Sequence, residues 1–446
     1  MNTIPLIIGL GKTGISLAKY LAKSAETLYI LESSPNNKYL KELKDLEVEY
    51  ILNPEISERT FKLISRIHPS PGVSMKNEAF QYAKNLNIPI QTDIDLYLKN
   101  SQSYNILVTG TNGKTTTVSM LEHLLKGFFK NKSISAIGNI GKPVLDFLDK
   151  KLDIAIIEIS SFQIEASSRL NSDIGILLNI SEDHIDRHKD YSTYKALKKR
   201  VLKDSKRRIT SDFLLRANTA RTSFTDYKKQ FSDEYFLKNP IFEKWPIHDI
   251  NNLKAALTAV NVMLYENNRA TVSSRRGNSM PVLDEAFRII SSFKRQPHRF
   301  ELIENNSGVM YINDSKATNI DATLKAIESS RNLNKEGRIF LICGGDLKGQ
   351  KLENNLYLRS TPTFTSKFEE IEKCFIYGKD KELLKEKLSN LTSCICCDDL
   401  DSAYSLANEE SQIGDLVLLS PACSSTDMFE DYQERGLRFK ELVKQS

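Results

Sequence analysis

One stretch, ILVTGTNGKTTTVSMLEHLL over residues 106–125, limits the possible fold more than any other. Ile106, Leu107 and Val108 read as a buried strand, and Met120, Leu121, Leu124 and Leu125 recur beyond it at helical spacing. Between them, Gly110 and Gly113 supply a tight turn. A buried strand, a glycine loop and a helix in that order point to a parallel α/β sheet, whose crossovers are usually helical. The loop GTNGKT is a short phosphate-binding loop, since Val108 stands where a full one has glycine. Backbone N–H groups at the turn and the helix start attract phosphate oxygens. Lys114 brings a cation to the β/γ-phosphates and Thr115 a hydroxyl for magnesium. The candidate nucleotide cradle is therefore Gly110, Thr111, Asn112, Gly113, Lys114, Thr115 and Thr116.

Parallel strands covered on both faces read as continuous apolar runs, and the chain supplies them in three blocks. At 446 residues it exceeds one ordinary core, and a domain of about 150 residues is the usual unit. The first block, residues 1–98, opens with IPLIIGLGKTGISLAKYLA, in which Gly9, Gly11 and Gly14 form a G-x-G-x-x-G turn. Glu32 follows 18 residues after Gly14, a spacing like that of dinucleotide-binding domains. HPSPGVS at 68–74 is a proline–glycine loop placed to face a ligand. The second block, 99–296, carries the phosphate loop and the strands NILVTG, SISAIG, IAIIEIS and IGILLNIS, while 211–250 shows no clear period. The third, 297–446, offers VMYINDS, RIFLICGGD, KCFIYG and DLVLLSPA as a further parallel sheet. The fold class expected is α/β in three domains: Rossmann-like, then a P-loop ATPase-type parallel sheet, then Rossmann-like again.

Composition narrows the setting. Hydrophobic residues at 40% and charged residues at 27% describe a soluble globular chain, and no apolar run approaches the ~20 residues of a membrane span. The N-terminus has no basic start and runs straight into a glycine turn, so it reads as a strand and not a secretory leader. The basic run KALKKRVLKDSKRR at 195–208 has no interleaved aromatic residue for base stacking, so it reads as a solvated helix face and no nucleic-acid partner is expected. All six cysteines fall after residue 342, and CICC at 394–397 lacks the spacing of a zinc knuckle. They read as reduced thiols of a cytoplasmic protein.

Carboxylates near the phosphate loop carry the remaining chemistry. Glu158 sits inside the apolar run IAIIEISSFQIE, where a buried charge needs a cation beside it. NISEDHIDRH at 179–188 ends another strand with Glu182, Asp183, His184 and Asp186 together. Ligands collect at such strand ends in parallel sheets.

GTNGKTTT, EISSFQIE and NISEDHIDRH, followed by PHRFE at 297–301, INDSKATN at 312–319 and GGDLKG at 344–349, resemble the Mur ligase family. Its members are ATP-dependent amide-forming enzymes of bacterial cell-wall synthesis, related to folylpolyglutamate synthases. LLSPACSSTDMFEDYQERG at 418–436 most resembles the branch that adds D-glutamate to UDP-N-acetylmuramoyl-L-alanine. The resemblance implies ATP and two magnesium ions, with Thr115, Glu158, His184 and a carbamylated Lys198 as metal ligands and Lys114 on the phosphates. It implies nucleotide contacts at Asn252, Arg299 and Asp314. The nucleotide-sugar peptide would meet Gly11, Thr13, Glu32, Ser70, Pro71, Gly72, Asn139, Ser160, Ser161 and Gln163. The amino acid would meet Lys316, Thr318, Lys348, Ser425 and Tyr432. A cytoplasmic monomer acting on small molecules is expected.

Three positions depart from the family pattern. Asp249 in WPIHDINN stands where asparagine is usual, Glu32 where aspartate is common, and Thr426 where leucine is common. Other readings are an NAD-binding or nucleotide-sensing protein, suggested by Gly9, Gly11, Gly14 and Glu32, or a neighbour in the family that adds L-alanine or a diamino acid, or a folylpolyglutamate synthase.

Overall fold

In the computed structural model, which describes residues 4–211, 224–243, 245–266, 280–349 and 363–446, the strands assemble into three sheets. Residues 212–223, part of the stretch with no clear period, lie outside the described residues. Contacts divide the chain into two compact units. One comprises 1–180, 192–231 and 253–290, the other 181–191, 232–252 and 291–446.

The first unit holds two sheets. β1 (Ile4–Ile8), β2 (Thr27–Leu31), β3 (Glu49–Leu52) and β4 (Ile64–Pro69) are ordered β3-β2-β1-β4, all parallel. The second sheet contains β5 (Tyr104–Thr109), β6 (Ile134–Gly138), β7 (Ile154–Glu158), β8 (Ser172–Leu177), β9 (Ser205–Thr210) and β10 (Thr225–Asp226). Its order, β10-β9-β8-β5-β7-β6, is parallel throughout. From β5 the chain winds first towards β6 and β7, then back across to β8. The loop after β5 therefore lies at the strand-order reversal, where a crevice opens at the carboxyl ends of the strands. Leu107, Ile137, Ala155 and Ile157 of this sheet share one buried cluster with Ile7, Leu28 and Ile30 of the first and Leu17 of the helix between β1 and β2, so the two sheets rest on a common core. Asp95 strengthens the join by accepting from the Ser168 N–H and hydroxyl, each at 2.9 Å.

The second unit holds β11 (Glu301–Ile303), β12 (Met310–Asn313), β13 (Ile339–Gly344), β14 (Lys373–Tyr377), β15 (Ser393–Cys396) and β16 (Leu416–Leu419). Their order is β11-β12-β16-β13-β14-β15. The four expected strands, β12, β13, β14 and β16, are mutually parallel and β15 adds a fifth, but β11 pairs with β12 antiparallel, so the third sheet is mixed. The physical reason is the short link from Ile303 to Met310, which allows only a hairpin. Among the described residues, no helix is long and apolar enough to cross a membrane.

Candidate active site

At the end of β5 the chain turns through Gly110–Gly113 into the helix Lys114–Phe128. Gly113 caps that helix at φ +82°, a left-handed conformation that side chains with a Cβ adopt poorly. Lys114 folds back over the loop, donating from Nζ to the Gly110 and Thr111 carbonyls at 2.8 Å each. Asn179, just past β8, locks the loop. It accepts from the Asn112 N–H at 2.9 Å and donates to the Asn112 carbonyl at 3.0 Å. Thr111 is buried and its hydroxyl lies 3.1 Å from that of Tyr194, while Thr115 and Thr116 stand half-buried in the first helical turn.

Glu158 closes β7, with Val108 of β5 and Gly138 of β6 as its register partners. Its side chain is 2% exposed. Oε1 accepts from Asn139 Nδ2 at 2.8 Å, and Oε2 is buried with no hydrogen-bond partner. An unsatisfied carboxylate oxygen beside a phosphate loop fits a divalent cation, which would supply the missing partner. Among the described residues no three His, Cys, Asp or Glu side chains form a ready-made metal cage.

Lys198 lies on the helix Tyr191–Lys203 and is 1% exposed despite its basic neighbours. Its Nζ donates to the Gly110 carbonyl at 2.9 Å, the oxygen that Lys114 also uses, and sits 4.7 Å from the centre of the Tyr194 ring. The reading of the run as a solvated face thus fails at this residue, because Tyr194, Lys198 and Val201 form a buried face of the helix. Ser160 and Gln163, beside Glu158, form a reciprocal helix cap: Ser160 N donates to Gln163 Oε1 at 3.0 Å and Gln163 N to Ser160 Oγ at 3.3 Å. Ser161 is buried at the first position of that helix.

Along the β1–β4 edge, Ser70 donates to the Gly9 carbonyl at 2.7 Å, and a Cβ on Gly14 would lie 2.0 Å from that same oxygen. Glycine at 14 is thus enforced by contact. Glu32 accepts from the Leu10 N–H at 2.6 Å and from Asn37 at 2.9 Å. Burial opposes its charge, but these bonds and one from the Ser34 N–H outweigh it and hold the carboxyl below its usual range. Gly11 and Gly72 are exposed, and Thr13 and Pro71 half-buried, around this turn.

In the second unit, Asp183 collects residues from three motifs. Asn319 donates to it at 3.3 Å, the Lys348 ammonium lies at 3.4 Å, and His184 Nε2 at 3.7 Å. Lys316 Nζ stands 3.7 Å over the Tyr432 ring, which brings two of the candidate amino-acid contacts together. Thr318 is half-buried, and Ser425 is 3% exposed with its carbonyl capping the Met428 and Phe429 N–H groups.

Of the candidate nucleotide residues, Asp314 accepts from the Phe300 N–H at 3.0 Å and from Ser420 Oγ at 3.2 Å. Burial pushes its carboxyl up to about 7 against those bonds and the nearby Arg299. Asn252 reaches Asp249 at 3.5 Å, and Asp249 pairs with Arg295 at 3.5 Å. The acid that departs from the family pattern thus has a cation of its own.

The sequence reading did not single out Arg435. Fully buried, it donates to the Ser315 hydroxyl and carbonyl at 3.0 and 2.9 Å and to the carbonyls of Cys423 and Ser424 at 3.1 and 3.3 Å. The only sequence signal was an arginine within the last motif. Asn179 and Tyr194 were equally invisible, because their partners lie 67 and 83 residues away.

Three family models match in chain order: the Mur ligase MurD-like N-terminal domain at 4–92, the Mur ligase middle domain at 108–238, and the Mur ligase glutamate ligase domain at 298–423. UDP-N-acetylmuramoylalanine–D-glutamate ligase of Hahella chejuensis is 31% identical over 98% of this chain and 97% of its own. The chain belongs to the Mur ligase family. The same-named Pseudomonas aeruginosa enzyme is 30% identical over 99% of this Mur ligase and 97% of its own length. Among solved structures, the UDP-N-acetylmuramate–alanine ligase MurC of Thermotoga maritima aligns with TM-score 0.56 and 14% identity over 99% of both chains. MurF of the same organism, solved with ADP, aligns with TM-score 0.51 and 14% identity over 95% of this chain and 97% of its own. Those two likenesses establish the fold of this Mur ligase.

Proposed function

We propose that this Mur ligase joins D-glutamate to UDP-N-acetylmuramoyl-L-alanine at the expense of ATP, in the cytoplasm, during peptidoglycan precursor synthesis. Full-length similarity to two ligases of that name supports the substrate choice. The observation that carries the chemistry is the loop after β5: Lys114 at the helix start is poised over the Gly110–Thr111 carbonyls, and the neighbouring strand β7 ends in a buried Glu158 with one unpartnered oxygen.

A carboxylate and an amine do not condense unaided, because oxide is a poor leaving group. Moving the γ-phosphoryl group onto the substrate carboxylate gives an acyl phosphate, from which the amine displaces phosphate. Such transfer depends on positioning and charge stabilisation. The loop N–H groups hold the phosphates, and Lys114 leaves its carbonyls to follow the charge on the γ-phosphoryl oxygens. Magnesium held by Thr115 Oγ1 and Glu158 would screen the phosphate charge. Lys198, buried beside the loop, is proposed to be carbamylated and to act as an acidic ligand, with His184 a further magnesium ligand. Asn139 orients Glu158 and also faces the nucleotide-sugar peptide. Lys316 and Lys348 supply cations for the two carboxylates of D-glutamate. Asn252, Arg299 and Asp314 serve the nucleotide.

The test is phosphate release from ATP with purified protein, magnesium, bicarbonate, UDP-N-acetylmuramoyl-L-alanine and a panel of amino acids. D-glutamate alone should support turnover. Release with L-alanine or a diamino acid instead would move the chain to a different branch, and ATP left intact with every amino acid would end the assignment.

A further inference from the structure

Four of the six cysteines line one face of the third sheet. Cys343, Cys374 and Cys423 are buried in one core cluster and Cys394 packs against it, while Cys397 belongs to the cluster on the opposite face. The strand register separates the possible pairs. Cys374 of β14 and Cys394 of β15 are direct partners, whereas Cys343 is in register with Ile376, two residues beyond Cys374. Adjacent strands lie roughly 4.8 Å apart, inside the Cα separation of about 4.4–6.8 Å that a disulfide accepts. A diagonal neighbour on the same face is roughly 7–8 Å away, outside it. The Cys374 thiol meets both the Cys343 and the Cys394 thiols in this core, so the strand register, which sets Cys394 directly opposite, is what separates the two.

Exposure gives the two thiols different roles. β15 is the sheet edge, and Cys394 is partly exposed there, whereas Cys374 is fully buried. We propose that Cys394 and Cys374 are a hydroperoxide-oxidisable thiol pair, with Cys394 the attacking and Cys374 the resolving sulfur. The Cys374 hydrogen bond, helped by Ser389 and the Lys385 ammonium against partial burial, holds the Cys394 thiol below its ordinary range. Burial pushes Cys374 up, so it keeps its proton until it is needed. The Cys394 thiolate attacks a peroxide oxygen, the O–O bond breaks, and the sulfenic acid forms as hydroxide or alkoxide departs. Cys374 then attacks the Cys394 sulfur. The S–S bond forms, the S–O bond breaks, and the Cys374 proton leaves with the hydroxide as water. Overall, two thiols and one hydroperoxide give one disulfide, one alcohol (or water) and one water.

The site is independent of the ligase assignment and is tested on the full chain without any substrate. Protein treated with hydrogen peroxide is alkylated, digested without reductant and mapped by mass spectrometry. The expected result is a Cys374–Cys394 linked peptide, loss of two of the six titratable thiols, and their return with dithiothreitol. Cys343→Ser should leave the link intact. Cys374→Ala should halt the reaction at a sulfenic acid on Cys394, trapped by dimedone. Unlinked peptides in the wild type, a link that uses Cys343 or Cys396, or direct passage of Cys394 to sulfinic acid would each overturn the proposal. Because the map is read on wild-type protein, a variant that fails to fold does not decide it.

Discussion

Glu158→Gln separates what the fold wants from what the reaction needs. Glu158 is 2% exposed, one oxygen is satisfied by Asn139, and the other has no partner. A buried polar atom left unsatisfied costs about 1–3 kcal/mol, and more when it shares a charge. Glutamine keeps the volume and an oxygen for Asn139 but removes the charge. In chelator the variant should therefore be more stable by about 1 kcal/mol, which for a unit of this size raises the melting temperature by roughly 2–4 °C. Adding magnesium and ATP should reverse the order. A ligand at 100 times its Kd stabilises by about 2.7 kcal/mol, and the variant should forgo most of that increment along with phosphate release. Scanning calorimetry in EDTA and in magnesium–ATP, beside the phosphate assay, reads all three effects. A variant that melts below wild type in EDTA, or that gains the full increment with magnesium–ATP, would refute the assignment of the open oxygen to a cation.

Lys198→Ala should be inactive and partly restored by short carboxylic acids that enter the vacated space; full activity without them would sink the carbamate. Asp314 has a folded-state pKa of about 7, above its ordinary 3.8, so the folded protein holds the proton more tightly and loses stability as pH rises from about 4 to 7. Asp314→Asn should flatten that slope in urea titrations and be the more stable form at pH 8; an unchanged slope would contradict the burial. Gly344→Ala would place a Cβ 1.9 Å from the Tyr377 carbonyl at φ +129°, costing about 2–4 kcal/mol in strain and overpacking, visible as a lower urea midpoint.

Legibility in the sequence followed the range of the interaction. The apolar runs at 106–108, 154–157 and 339–343 announced buried parallel strands because local composition alone distinguishes them from half-wet strands. The strand–glycine turn–helix at 104–128 was legible for the same reason, since all its parts are local in sequence. β11 escaped because three residues with an exposed Leu302 carry no recognisable period. The inward direction of Lys198 could not be read from its equally basic neighbours; the family resemblance marked it, and its contact with Gly110, 88 residues away, gives the physical reason. Residues 181–191 and 232–252 group with the third sheet's unit, a long-range choice that no local pattern announces.

Arg435 ties the segment after β12, through Ser315, to the segment after β16, through Cys423 and Ser424, and these flank Lys316 and Ser425. The two segments cannot drift apart in evolution or be grafted singly from a homologue. A chimera meant to accept a different amino acid would have to import both together with the start of the last helix, or inherit a cation stranded in oil.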